Sequence, residues 1–208
     1  HYILLTDYEG NSLRTFYIDK KGYIWFGTID GIYIFDPTDG KLSHYKHSRT
    51  DPFSLPNNSI WEISEDRQSN VWIGTYSGTL CYVNIDENNA FKTYHPQNSG
   101  LNHTPVSAFA EDQQYLWVGT EGGGINRMNK ATGEFSYITS ANSITSNNIK
   151  SLITDAGHNL WISTFMGGLD LYNVGRQKVT NFKHTKGAPH SLLVNDVRKT
   201  ILEGDSGM

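Results

Sequence analysis

Short apolar segments bounded by polar turns run along the whole chain. Residues 71–75 form one such segment, and they follow the polar stretch 65–70. Segments of this length are typical of β-strands, and a helical spacing of apolar residues over about 11 residues or more is absent. The pattern therefore predicts an all-β chain of short strands joined by tight turns.

One apolar segment recurs four times, at intervals of about 45 residues. In each copy a Trp is followed two positions later by Gly or Ser and then by Thr, and an Asp stands in the polar turn before it. An apolar pair lies further upstream, and an aromatic residue closes the unit. The tryptophans are Trp25, Trp72, Trp117 and Trp161; the small residues are Gly27, Gly74, Gly119 and Ser163; the aspartates are Asp19, Asp66, Asp112 and Asp155.

A repeat of this length with room for four strands is typical of a β-propeller blade. We predict an all-β β-propeller, with four four-stranded antiparallel blades that form a fragment of a larger, seven-bladed ring across residues 1–208. A β-sandwich is disfavoured because its strands do not repeat one motif at a fixed interval. The blades are expected at residues 13–46, 59–95, 105–139 and 148–184, with single strands of neighbouring blades at residues 1–5 and 194–203.

The repeated Trp and the glycine two positions later lie on the same face of a strand. We expect the indole to lie across the space that the glycine leaves and to fill the gap between stacked blades. Another glycine follows each Trp at a fixed distance and is expected to supply a positive φ at the next hairpin. These hairpin glycines are Gly31, Gly78, Gly123 and Gly167.

Composition narrows the function classes. The 17 basic and 21 acidic residues give a net charge of −4, so we expect no direct binding of nucleic acid. The sequence contains no apolar run of about 18 residues, so we expect no membrane span within it. Cys81 is the single cysteine, which excludes an internal disulfide.

The repeats resemble the two-component regulator propeller repeat. The resemblance rests on residues 57–66 followed by residues 72–75, and on residues 147–155 followed by residues 157–161. Ser163 departs from the glycine of the other repeats. Proteins with such repeats include the periplasmic sensor regions of Bacteroides-type hybrid two-component histidine kinases.

The resemblance implies further properties. It implies a periplasmic region of an inner-membrane-anchored protein whose remaining blades and signalling domains lie elsewhere in the same chain. It implies recognition of an oligosaccharide and control of transcription through a histidine kinase. Because a four-repeat segment has two open blade faces, we also expect a homodimer.

Two sets of residues are candidates for ligand binding. The position after the first apolar residue of each innermost strand carries three cations in five repeats, so the central channel is expected to hold an anionic group such as a uronate or sulfate. The second set lies on the face built by the glycine hairpins and by the long loops 46–58 and 183–195. The first set is Arg14, Trp61, Ser107, Lys150 and Arg198; the second is Asp30, Tyr76, Glu121 and Phe165.

No catalytic or metal-binding motif is present in the sequence. We therefore predict that this region is not an enzyme and needs no cofactor or metal. Two alternatives stay open: a propeller enzyme that acts as a lyase with a His and a metal, and a protein–protein interaction scaffold.

Overall fold

The computed structural model describes residues 12–76, 80–84, 88–94, 97 and 99–203. Within them the chain forms four antiparallel sheets of four strands, each strand pairing with the next along the sequence. This confirms the predicted all-β fold of four-stranded blades. Blade 1 is β1 (Leu13–Ile18), β2 (Ile24–Thr28), β3 (Gly31–Phe35) and β4 (Leu42–Tyr45); blade 2 is β5 (Ile60–Glu65), β6 (Val71–Thr75), β7 (Leu80–Asn84) and β8 (Asn88–Tyr94). Blade 3 is β9 (Val106–Glu111), β10 (Tyr115–Thr120), β11 (Gly124–Asn129) and β12 (Phe135–Ile138); blade 4 is β13 (Ile149–Thr154), β14 (Asn159–Thr164), β15 (Gly168–Asn173) and β16 (Lys178–Phe182).

The chain divides into two compact units. Unit 1 comprises His1–Ser99 and Thr104–Val106, and unit 2 comprises Gly100–His103 and Ser107–Met208. Unit 1 therefore contains blades 1 and 2, and unit 2 contains most of blade 3 and all of blade 4.

In each unit a Trp of one blade packs into a core shared with the next blade. Trp25 is fully buried in a cluster with Ile60 and Ile63 of blade 2. Trp117 is fully buried in a second cluster and meets Tyr172 of blade 4 edge-on, with ring centroids 6.3 Å apart. Burial of an indole of this size is a large apolar contribution to the packing of neighbouring sheets.

The space beside the glycines of the repeated strands is occupied by side chains of the next blade and not by the indole. A Cβ built on Gly27 would lie 2.7 Å from Cγ2 of Ile60, and one built on Gly119 would meet Ile149. The sequence-based expectation that the indole occupies this space was therefore wrong in detail. The missing side chain lets a β-branched residue of the neighbouring sheet approach the backbone of the strand.

Every repeated Trp is also tied to the Asp that precedes it. In all four blades the indole Nε1–H donates to an Asp carboxylate in the turn between the first two strands. The four pairs are Trp25 with Asp19 at 2.8 Å, Trp72 with Asp66 at 2.7 Å, Trp117 with Asp112 at 3.0 Å and Trp161 with Asp155 at 3.0 Å.

The hairpins between second and third strands differ in length between blades. Thr28 pairs with Gly31, which has a φ of 103° as predicted. In blades 3 and 4 the loop is one residue longer, so the positive φ at the start of the third strand falls on Gly124 and Gly168 and not on Gly123 or Gly167. The expected hairpin glycine of blade 2, Gly78, lies outside the described residues.

Residues 194–203 do not form the strand that the sequence predicted. The described residues offer this segment no partner strand of a fifth blade, and it makes isolated contacts with β14 instead. Val197 donates its backbone N–H to the carbonyl of Thr164 at 3.1 Å, and the hydroxyls of Thr200 and Ser163 lie 2.8 Å apart. Trp161, on the same blade, is only partly buried. The other predicted single strand, residues 1–5, lies outside the described residues.

Candidate ligand-binding site

Three residues of the predicted channel column lie at β-bulges. The register of the first strand against the second breaks directly at Arg14, Trp61 and Lys150 in blades 1, 2 and 4. A bulge leaves one residue out of the ladder and re-aims its side chain, and bulges are common beside binding sites. The residue of blade 3 in the same column, Ser107, is buried and donates its hydroxyl to the carbonyl of Ile149 at 2.7 Å.

In unit 1 the bulge residues meet a residue from a glycine hairpin. The guanidinium carbon of Arg14 lies 5.2 Å from the ring centroid of Trp61. The Trp61 ring stacks on Tyr76, with centroids 5.4 Å apart and planes 27° apart. The backbone N–H of Tyr76 donates to the carbonyl of Ser59 at 2.9 Å, which anchors the end of β6 beside the bulge. We call these three residues the Arg14–Trp61–Tyr76 cluster.

This cluster faces solvent over much of its surface. Arg14 is exposed, Trp61 is partly buried and Tyr76 is 50% exposed. A cation over an aromatic face at this distance is an attractive contact, and the stacked rings form a shared apolar platform. Members of the two candidate surfaces inferred from the sequence are therefore in contact in unit 1.

In unit 2 the equivalent position is occupied by an ion pair. The ammonium of Lys150 donates to the carboxylate of Glu121, and both side chains are largely buried, at 18% and 23% exposed. The same ammonium lies 5.6 Å from the ring centroid of Phe165, whose backbone N–H donates to the carbonyl of Asn148 at 3.0 Å. We call these residues the Glu121–Lys150–Phe165 cluster. Its positive charge is neutralised within the protein.

Two other predicted residues stand apart from these clusters. The carboxylate of Asp30 pairs with Lys46 at 2.6 Å. Arg198 pairs with Asp196 at 3.0 Å in the segment after blade 4. Of the three cations in the predicted column, Lys150 and Arg198 thus have carboxylate partners. Arg14 has none among the residues that the structure describes.

Sequence reasoning missed Ile29, which occupies the position in blade 1 that Tyr76 holds in blade 2. It directly follows the Thr that ends β2, and its side chain is 45% exposed. Counting from that repeated Thr would have identified it, whereas the sequence-based choice fell one residue later on Asp30. Met166, beside Phe165, is also exposed and was not selected as a site residue.

Two long loops share an internal clamp that the sequence analysis also missed. In loop 47–58 the backbone N–H of His47 donates to Asn58 Oδ1 at 2.6 Å, and His47 Nδ1 donates to the Leu55 carbonyl at 2.7 Å. In loop 184–195, His184 makes the same two bonds to Asn195 and Leu192, each at 2.7 Å. A His at the start and an Asn at the end, at equal spacing, was the available signal.

The first of these loops borders an open cavity of about 480 Å³. Its lining includes His47, Arg49, Leu55, Pro56 and Thr93. The clamp of the loop gives this cavity a defined wall, and loops supported in this way often carry binding.

The described part of the chain contains no group of three or more His, Cys, Asp or Glu side chains placed to hold a metal ion. No helix within that part is long and apolar enough to cross a membrane. The thiol of Cys81 is fully buried, and desolvation raises its pKa far above the ordinary value, so it is an inert core residue.

The architecture defines the chain as a set of β-propeller blades. Residues 7–30, 54–77 and 100–122 match the two component regulator propeller family. These three matches agree with the resemblance that the sequence motifs indicated.

Similar proteins include a histidine kinase and extracellular domains of two component systems. Histidine kinase P4 of Formosa agariphila is 28% identical over 176 residues, which cover 81% of this chain and 13% of that protein. The extracellular domain of a hybrid two component system of B. thetaiotaomicron superposes with a TM-score of 0.75 at 27% identity, over 93% of this chain and 25% of that one. A second such domain from the same organism gives a TM-score of 0.73 at 22% identity over 86% and 25%, and it supports the fold alone.

Proposed function

We propose that this chain is a non-catalytic, ligand-sensing propeller region of a periplasmic two-component sensor. In this proposal it recognises an oligosaccharide, and the remaining blades and signalling domains of the protein pass the signal to a histidine kinase that controls transcription. The kinase is anchored in the inner membrane. Support comes from the matched repeats and from relatives that are extracellular domains of two component systems.

The single observation that favours a sugar ligand is the Arg14–Trp61–Tyr76 cluster. A pyranose ring has an apolar C–H face and a polar edge of hydroxyls. The apolar face packs on an aromatic platform, while the edge needs directed polar groups close by. The stacked Trp61 and Tyr76 rings supply the platform, and the Arg14 guanidinium and the Tyr76 hydroxyl supply donors.

Binding measurements on the intact sensor protein test this proposal. A library of oligosaccharides is screened by calorimetry against the wild type and against Trp61→Ala and Tyr76→Ala. We expect one ligand to bind, and each substitution to weaken it by about tenfold or more, because buried aromatic contacts dominate binding energy. Tyr137→Ala is the control, since Tyr137 is exposed on the outermost strand of blade 3.

Two results contradict the proposal. One is a screen in which no oligosaccharide binds the folded protein. The other is a ligand whose affinity is the same in the wild type and in both cluster variants.

The expected homodimer is part of the same proposal. Leu13, Phe16 and Ile18 are large apolar side chains of β1 that are each more than half exposed. Contiguous exposed apolar surface favours association. Sedimentation analysis of residues 1–208 alone is expected to give a dimer, and a monomer at all concentrations contradicts this part.

A further inference from the structure

We propose that the Arg14–Trp61–Tyr76 cluster binds an acidic sugar residue, a uronate or a sulfate ester, and that this selectivity is confined to unit 1. The inference rests on the proposed function and deepens it, because it names the chemical class of the ligand at that site. The shared chemistry is a planar or tetrahedral oxyanion carried on a pyranose ring.

Among the cations of the predicted channel column, Arg14 differs from the others in having no carboxylate partner among the described residues. The predicted channel column carries cations at three positions, but Lys150 and Arg198 are each held by a carboxylate. The described part of the chain places no carboxylate in an ion pair with Arg14, and its side chain is exposed. An exposed guanidinium without an internal counter-charge can bind an anion without first breaking an ion pair.

The position of Arg14 suits an anion on a stacked sugar. Its guanidinium carbon lies over the Trp61 ring at 5.2 Å, and an arginine on an aromatic face keeps its N–H donors at the rim of the guanidinium plane. Those donors match two oxygens of a carboxylate or sulfate in a bidentate arrangement. A pyranose packed against the exposed part of the Trp61–Tyr76 stack would thus present a ring substituent to the same donors.

At the equivalent position of unit 2 the bulge cation is already paired. There the bulge cation Lys150 is bound to Glu121, and the carboxylate of Glu121 would repel an incoming anion. The same chain therefore carries an exposed bulge cation, Arg14, in unit 1 and a paired bulge cation, Lys150, in unit 2. This contrast supplies an internal control for the experiment.

The test uses two matched pairs of glycans and the intact sensor protein. Polygalacturonate is compared with fully methyl-esterified homogalacturonan, and dextran sulfate is compared with dextran. Within each pair the polysaccharide backbone is the same and the neutral member lacks the free acidic group, so the two pairs distinguish a carboxylate from a sulfate ester. We expect the acidic member of at least one pair to bind about tenfold or more tightly than its neutral partner.

Variants locate that preference. Arg14→Ala is expected to remove it, and Arg14→Lys to restore part of it, since an ammonium keeps the charge but loses the bidentate geometry. Arg176→Ala and Lys150→Ala are expected to leave it unchanged, because Arg176 is an exposed cation outside both clusters and Lys150 is already paired. Equal loss in all three alanine variants would reveal non-specific attraction and would overturn the inference.

The inference and the proposed function fail separately. If neither acidic glycan is preferred over its neutral partner, or if Arg14→Ala keeps the preference, the acidic-sugar inference is wrong. The proposed function still stands in that case if a neutral oligosaccharide binds and Trp61→Ala weakens it. Both fail if no oligosaccharide binds in a manner that depends on Trp61.

Discussion

The carboxylate of Asp66 accepts the indole N–H of Trp72 at 2.7 Å, and both residues are buried. The same carboxylate accepts the backbone N–H groups of Gln68 and Asn70, each at 2.9 Å. One acidic side chain therefore orders the turn between the first two strands of blade 2 and fixes the orientation of its largest core residue. The pairing recurs in every blade, which explains why Asp and Trp repeat together along the sequence.

Replacing Asp66 with Ala is expected to destabilise the protein by about 3–4 kcal/mol, because a buried indole N–H and two turn N–H groups lose a charged acceptor. Urea unfolding followed by circular dichroism measures the change. Asp39→Ala is the control, since its carboxylate accepts the exposed backbone N–H of Lys41 and its loss is expected to cost at most about 0.5 kcal/mol. Equal unfolding midpoints for both variants would contradict a structural role for the Asp66–Trp72 pair.

Asp155, the partner of Trp161, makes the stability of blade 4 depend on pH. Desolvation acts to raise the pKa of Asp155, but hydrogen bonds from Asn159, Trp161 and Gly157 outweigh it and hold the pKa below the ordinary value of 3.8. A depressed pKa in the folded state means that the ionised carboxylate stabilises the fold above that ordinary value. This stabilisation is lost as the pH falls through the folded-state pKa.

The measurement for Asp155 is the unfolding free energy of the wild type and of Asp155→Asn at a series of pH values from neutral to about pH 2. We expect the wild type to be more stable near neutral pH and the difference to shrink below about pH 4. A difference that stays constant down to the lowest pH would show that the ionised form has no special stability in the fold.

We expect that any side chain added at Gly27 causes a steric clash. The reason is the position of neighbouring atoms and not the backbone angles of Gly27. An added Cβ would lie 2.7 Å from methyl groups of both Thr15 and Ile60, which are β-branched and cannot easily turn away. We expect Gly27→Ala to cost about 1–3 kcal/mol. Gly175→Ala is the control, since a Cβ added there would lie 3.8 Å from Oδ1 of Asn173, which is an ordinary van der Waals contact.

The double variant of Gly27→Ala with Ile60→Ala tests the contact between blades 1 and 2. Removing the Ile60 methyl groups makes room for the new Cβ, so the cost of the pair in unfolding free energy is expected to be smaller than the sum of the two single costs. Strict additivity would mean that Ile60 does not set the space above Gly27.

Much of the fold could be predicted from the sequence because each repeat contains a strand with the same recognisable residues. The apolar segment at residues 71–75 is the strand Val71–Thr75 in the structure, and its repeated Trp and Thr are both buried. The positive φ of the blade 3 hairpin was predicted at Gly123, one residue too early, because three adjacent glycines at residues 122–124 do not reveal the loop length. The strand expected at 194–203 failed because a strand also needs a partner, which a local pattern does not supply.

The candidate site was predicted only in part. Arg14, Trp61 and Tyr76 were each selected, but as members of two different surfaces, since nothing in the spacing shows that a bulge turns Trp61 toward Tyr76. The pairing of Lys150 with Glu121 joins positions far apart in sequence, and it reverses the charge argument at that edge. Contacts of this kind depend on register and on side-chain direction, which the pattern of apolar residues does not encode.

The clamp histidine of loop 184–195 gives a prediction about local order. The carbonyl of Leu192 only accepts hydrogen bonds, so His184 Nδ1 is the donor, and it closes the loop together with the bond from its backbone N–H to Asn195. His184→Ala removes the ring contact and leaves the Leu192 carbonyl without that donor. We expect amide hydrogen exchange within residues 184–195 to become about tenfold faster or more, while exchange in β14 and β15 is unchanged.

His190 supplies the matched control for this loop. It lies in the same loop and is exposed, so His190→Ala removes a ring of the same kind without removing the clamp. His184→Gln tests the chemistry further, because its amide can donate to the same carbonyl and is expected to recover part of the protection. If the two alanine variants accelerate exchange equally, the order of the loop comes from its surroundings and not from the bond between His184 and Leu192.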